Sequence, residues 1–187
     1  MSAAVITEAT QYLTFTLDEE DFALEISKVK EILDFTTITK VPRMPEFFRG
    51  VLNLRGNVVP VIDLRLKLGM KAIERTVDTC IVIIEISIDG ELTLMGALAD
   101  SVKEVIDLDP GQISPPPTLG TRLDTRFLKG MGKCGEKFLI ILDIDMVLSS
   151  DELALVKNSA DSSNTSSPPA ASIAASDAGT GREVDAV

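Results

Sequence analysis

The sequence predicts a mainly β protein: two pseudo-equivalent small β-barrel subdomains packed together, with few and short helices. Three observations carry that expectation. Apolar residues make up 45% of the 187 but aromatics only 4%, with one Tyr and no Trp, so aliphatic side chains must fill the core. That composition suits β-branched strands. Short alternating runs bounded by Gly, Pro and Asp recur along the chain, a spacing that favours small barrels and leaves a sandwich as the alternative. Finally, one order of elements occurs twice: an alternating hairpin, a VKE element, a Gly-bounded turn, an apolar strand and an Asp.

Residues 1–9 are expected to be a flexible N-terminus. Leu13, Phe15 and Leu17 then alternate with Thr14 and Thr16, and after a solvated acidic turn, Asp18 to Asp21, the alternation resumes with Phe22, Leu24 and Ile26. The first VKE element, VKEILDF at 29–35, reads as a turn. Pro42 and Pro45 punctuate a loop, and Gly50 and Gly56 precede the strand VVPVI and Asp63. Pro60 inside that strand cannot donate to a ladder, which places it on an edge or at a bulge. A second hairpin runs from Thr79 through Ile88, turns at the type I′ pair Asp89-Gly90 and returns through Leu92 and Leu94. Its unbroken apolar run implies burial on both faces. The second VKE element, VKEVIDL at 102–108, is followed by Pro115-Pro116-Pro117, then by Gly130 and Gly135 before FLIIL and Asp143. Ser149 and Glu152 match a capping box for a short helix at about 150–156. Residues 158–187 carry seven Ser and seven Ala with three larger aliphatics, Ile173, Val184 and Val187, too little apolar surface to offset ordering, so a disordered tail is expected. The ordered part, 10–157, divides on this reading into subdomains at about 11–66 and 80–148, each too small to stand comfortably alone.

Charge and residue usage exclude several functions. A net charge of −11 with pI near 4.5 has the wrong sign for phosphates or an anionic membrane surface. Soluble protein partners suit it better, with no nucleic acid and no direct membrane insertion. The absence of histidine removes the commonest general base and metal ligand at neutral pH. Cys80 and Cys134 lack a CxxC spacing, which favours reduced thiols and a cytoplasmic setting. Gly130-Met131-Gly132-Lys133-Cys134-Gly135 fits GxGxxG by letter, yet an apolar strand follows where a dinucleotide site needs a helix N-terminus. Asp143 and Asp145 lack the further oxygen ligands of a calcium loop and mark a strand end. Catalytic residues, cofactors and metals are therefore not expected. Arg55 is the candidate of interest: a cation at a turn in an acidic chain needs a carboxylate, and Glu31 supplies one if the two turns meet. The pair would either fix the loops internally or contact a partner directly.

Four segments, FALEISKVKEIL, RGVLNLRGNVVPVIDLRLKLG, ALADSVKEVIDLDPGQI and FLKGMGKCGEKFLIILDID, stand in the order found in one family. Over about residues 10–156 the chain resembles the CheW family of bacterial chemotaxis coupling proteins. That resemblance implies two five-stranded SH3-like barrels and a non-enzymatic adaptor. It implies as partners the cytoplasmic tip of methyl-accepting chemotaxis receptors and the regulatory domain of the histidine kinase CheA. It further implies a cytoplasmic protein recruited to membrane-associated receptor arrays. By motif it assigns partner contact to Val29 and Glu31, to Asn53, Arg55 and Gly56 of the NLRG loop, and to Val105 of the second VKE element. Leu119 falls where the family places a larger apolar residue in contacts between barrels. A coupler of a non-flagellar pathway, serving twitching or biofilm control, fits the same residues.

Overall fold

The computed structural model describes residues 9–116 and 123–165. Eleven strands and three α-helices occur among them: β1 (Thr10–Leu17), β2 (Glu20–Glu25), β3 (Val29–Asp34), β4 (Phe48–Leu54), β5 (Asn57–Asp63), α1 (Leu64–Lys67), β6 (Cys80–Ile88), β7 (Glu91–Ala99), β8 (Ser101–Leu108), β9 (Ile113–Ser114), β10 (Leu128–Cys134), β11 (Lys137–Leu142), α2 (Ile144–Val147) and α3 (Ser150–Thr165). The strands form two sheets, β3-β6-β7-β5-β4 and β8-β1-β2-β11-β10-β9, each the wall of one SH3-like barrel. We call them the first and second barrels. As expected, the molecule is mainly β with two small barrels, but the second sheet has six strands rather than five, the two-residue β9 being added at its end.

The two sheets follow the same order through five strands, β9 being additional in the second, but the chain is partitioned differently from the subdomains at 11–66 and 80–148. Hairpin β1–β2 precedes β3 in sequence yet joins β8, β10 and β11, whereas hairpin β6–β7 joins β3, β4 and β5. Each sequence repeat thus lends its hairpin to the other repeat's barrel. The exchange is made by antiparallel pairing of β3 with β6 and of β8 with β1, and by two short parallel seams, Val61–Asp63 with Gly96–Leu98 and Ile140–Ile141 with Phe22–Ala23. Elsewhere the repeats superpose in register: Gly50 pairs with Val61 and Gly130 with Ile141, each just after a bulge.

Packing explains why neither barrel needs a large core of its own. On β6, Ile81 and Ile83 point into a cluster inside the first barrel, with Leu52, Val59 and Val61. Val82, Ile84, Ile86 and Ile88 point the other way, into a larger cluster with Leu13, Phe15, Leu17, Phe22 and Leu24 of the swapped hairpin. Both faces of β6 are therefore buried, as its unbroken apolar run requires. Tyr12, Ala23, Leu108, Leu139 and Ile141 fill the second barrel. The dominant core lies between the barrels, which makes their association part of folding itself.

Local chemistry sets the turns. Asp89-Gly90 and Arg55-Gly56 have positive φ at both residues (51° and 82°; 52° and 88°), the type I′ signature. The Asp18-Glu19 turn has the same sign without glycine (52° and 68°). Its backbone is held by the Asp18 N–H donating to Asp100 Oδ2 at 2.9 Å. This acidic turn is not simply solvated, since Asp18 pairs with Arg65 and Asp21 with Lys103.

Three further expectations change. Both VKE elements are strands rather than turns; β3 and β8 lie at sheet edges, where Glu31 takes the half-buried face and Ile32 and Val105 are exposed, so the apolar–polar alternation that marks a strand in sequence is lost. Pro60 sits in β5, an inner strand. Its partner Val51 uses its own N–H and C=O on Thr39, both at 2.8 Å, so Val51–Pro60 is a non-hydrogen-bonded pair, and pairing with β7 begins one residue later. The missing donor costs that ladder nothing. The last helix starts as expected, with Glu152 N–H donating to Ser149 Oγ and Ser149 N–H to Glu152 Oε2, but runs on to Thr165, past the tail boundary placed at 158. Residues 1–8 and 166–187, expected to be flexible or disordered, lie outside the described residues. No helix among the described residues is long and apolar enough to cross a membrane.

Candidate functional site at the mouth of the first barrel

β3 and β4 are the two ends of the first sheet's strand order, so closing the barrel brings their edges together. Two contacts make the seam. Thr39, beyond β3, bridges Val51 of β4, and Arg55 in the β4–β5 turn grips Glu31 of β3. The Arg55 guanidinium donates through Nη1 to Oε2 at 2.9 Å and through Nη2 to Oε1 at 3.0 Å. This bidentate geometry uses the planar fork of arginine, which lysine cannot reproduce. Glu31 is thus the partner Arg55 needs.

The pair sits outside the core. Arg55 keeps 75% of its side chain exposed and Glu31 26%. In that setting an ion pair stabilises a fold by only about 0.2–1 kcal/mol, while leaving an oriented charge and a rigid turn on the surface. Asn53 shapes the turn: its Oδ1 accepts the Gly56 N–H at 2.8 Å. Gly56 adopts φ +88°, with open space where a side chain would stand. Its requirement is backbone conformation rather than close approach.

The other sequence candidates do not join this cluster. Val29 is partly buried and packs against the core between the barrels. Val105 lies on β8, the edge of the second sheet, paired with Leu13 and 47% exposed. Leu119 lies outside the described residues. Gly130 to Gly135 forms β10 and its turn into β11, the strand context that argues against a dinucleotide site.

The sequence reading missed a second polar cluster. Arg65 of α1 is buried, donating to Asp100 Oδ2 at 2.6 Å, Asp18 Oδ1 at 3.3 Å and the Lys71 carbonyl at 2.9 Å. Asp63, also buried, caps α1 by accepting the Arg65 N–H at 3.0 Å. Nearby, Lys67 donates to both Glu152 oxygens at 2.7 Å and lies over the rings of Phe47 and Phe127. Burial pushes the Glu152 carboxyl upward, but Lys67 and the Ser149 cap outweigh it and hold it below its ordinary value. The hydrogen bond from Lys129 lowers Glu25 in the same direction. The signal for Arg65 was its place one residue after the repeated Asp-aliphatic pair, Asp63-Leu64 and Asp143-Ile144.

Twin barrels fused through a shared core, with an oriented charge pair at one mouth, define an interaction module. The chain belongs to the family of the CheW-like domain, whose model matches residues 11–152. It is 38% identical over 156 residues to a chemotaxis protein CheW of Klebsiella aerogenes, covering 83% of this chain and 92% of the relative. It is 32% identical over 145 residues to the chemotaxis protein CheW of Helicobacter pylori, covering 77% and 84%. Among solved structures, the scaffolding protein TtCheW of Thermoanaerobacter tengcongensis matches with a TM-score of 0.69 and 36% identity, over 76% of this chain and 90% of that one.

Proposed function

We propose that this protein is a non-enzymatic chemotaxis scaffold that couples the cytoplasmic tips of methyl-accepting chemoreceptors to the regulatory domain of the histidine kinase CheA. The observation that carries the reading is the family match across both barrels, at up to 38% identity with chemotaxis proteins over 83% of the chain. In this reading the Glu31–Arg55 pair, with the turn that Asn53 and Gly56 shape, is a contact surface rather than a source of stability. An adaptor of this kind acts through differential affinity, binding one signalling state of the receptor–kinase assembly more tightly than the other. Repeated in an array, modest contacts sum to high avidity. The assembly would sit in the cytoplasm against receptor-bearing membrane.

The test is reconstitution of the full chain with receptor tips in nanodiscs and the kinase. Kinase autophosphorylation should rise on addition of the protein and regain inhibition by attractant. A folded protein that binds neither partner would leave the family fold without the coupling role.

A further inference from the structure

The two barrels share a register but not a mouth. In the first, the VKE carboxylate Glu31 is held by Arg55, the leading residue of the β4–β5 turn. In the second, the VKE carboxylate is Glu104 and the leading residue of the corresponding β10–β11 turn is Gly135, followed by Glu136. Among the described residues no ion pair reaches Glu104. A cavity of about 110 Å³ opens instead, lined by Glu104, Ile106, Cys134, Lys137 and Leu139 among others. Its two cations do not substitute for the missing arginine: Lys103 is held by Asp21, and Lys137 forms no ion pair with Glu104. Val105, between the lining residues Glu104 and Ile106 on β8, faces away from the cavity and leaves 47% of its surface in solvent.

We propose that this mouth receives an arginine side chain from a partner protein, which completes on the second barrel the carboxylate–guanidinium contact that Arg55 makes internally on the first. The first barrel supplies the geometry: a glutamate at the third position of an edge strand, facing a tight turn, takes both arms of a guanidinium at 2.9 and 3.0 Å. The second keeps the glutamate and leaves the room. Arginine fits better than lysine because two parallel hydrogen bonds to one carboxylate need a planar fork. Ile106 and Leu139 in the lining give the methylene stem of the entering side chain apolar surface to cover. The inference rests on the coupling reading above, since it assigns this mouth to one of its two partners.

The experiment fills the site from within. Gly135 has φ +64° and nothing within 4 Å of where a side chain would begin, and Arg55 itself holds φ +52°, so Gly135→Arg has the space and the backbone conformation that Arg55 has on the first barrel. Wild type, Gly135→Arg and Glu104→Gln are each titrated separately with receptor tips and with the kinase regulatory domain, and their thermal midpoints recorded. Both variants should keep the wild-type midpoint, lose about tenfold or more in affinity for one and the same partner, and retain the other. Retention of both partners by either variant overturns the inference. So does loss of both partners, which would trace to the fold. Wild type binding neither removes the coupling reading, and this inference with it.

Discussion

The chain crosses between the barrels twice, and the two crossings are clamped at equivalent places by opposite charges. At the β7–β8 crossing, Asp100 is gripped by Arg65, the second residue of α1; at the β2–β3 crossing, Lys28 is gripped by Asp145, the second residue of α2. The positions match and the polarity is reversed. Their surroundings differ more. Arg65 keeps only 7% of its side chain exposed and Asp100 23%, against 33% and 39% for Lys28 and Asp145. Asp63 caps α1 through its side chain, while Asp143 makes no such bond to α2. Repetition preserved where the barrels are tied, and burial decides how much each tie is worth.

The largest effect should come from breaking the buried tie. Arg65→Met leaves Asp100 without its cation and should cost about 3–5 kcal/mol in denaturant unfolding, against under about 1 kcal/mol for Lys28→Met. Equal losses would show that exposure does not separate the clamps.

A backbone contrast sharpens the comparison. A Cβ at Gly50 would stand 2.1 Å from the Thr39 carbonyl oxygen at φ +136°, whereas one at Gly130 would stand 2.8 Å from that of Ser114 without a left-handed backbone. Gly50→Ala should therefore cost about 3 kcal/mol and Gly130→Ala about 1–2 kcal/mol, since the two-residue β9 can give way. Thermal midpoints of the pair check the order.

Acid should act through the half-buried carboxylates. Glu152 and Glu25 have folded values held below their ordinary 4.5, so the stability they add is present above that pH and lost as pH falls through the folded values. Lys67→Met removes Glu152's main partner. Below pH 4.5 its stability should fall less steeply with pH than that of wild type. Parallel curves would assign the acid sensitivity elsewhere. The smallest effect on stability belongs to Arg55→Ala, within about 1 kcal/mol, although coupling should fall sharply.

Much of this organisation was legible in sequence because it rests on local rules. Thr14 and Thr16 between Leu13, Phe15 and Leu17 spelled a strand, Asp89-Gly90 a hairpin, and Ser149 with Glu152 a helix start; charge need named Glu31 as Arg55's partner on the condition that their segments met, which they do. The hairpin exchange was hidden because every pairing that makes it, β1 with β8, β3 with β6 and the two parallel seams, joins strands far apart in sequence and leaves no local signal. Edge strands β3 and β8 read as turns because apolar Ile32 and Val105 are exposed and charged Glu31 takes the half-buried face, against the usual alternation. Arg65 escaped because its carboxylates, Asp18 and Asp100, lie 47 and 35 residues away and meet only after the barrels close on each other.

The most direct measurement exchanges the charges of the exposed pair, Glu31→Arg together with Arg55→Glu, and reads receptor control of the kinase in the reconstituted assembly. The exchange preserves an ion pair and so the seam. If a partner reads Arg55 and Glu31, the doubly substituted protein should unfold at the wild-type midpoint yet fail to couple. Wild-type coupling by that variant would reduce the pair to a clasp between turns and contradict its role as the contact surface.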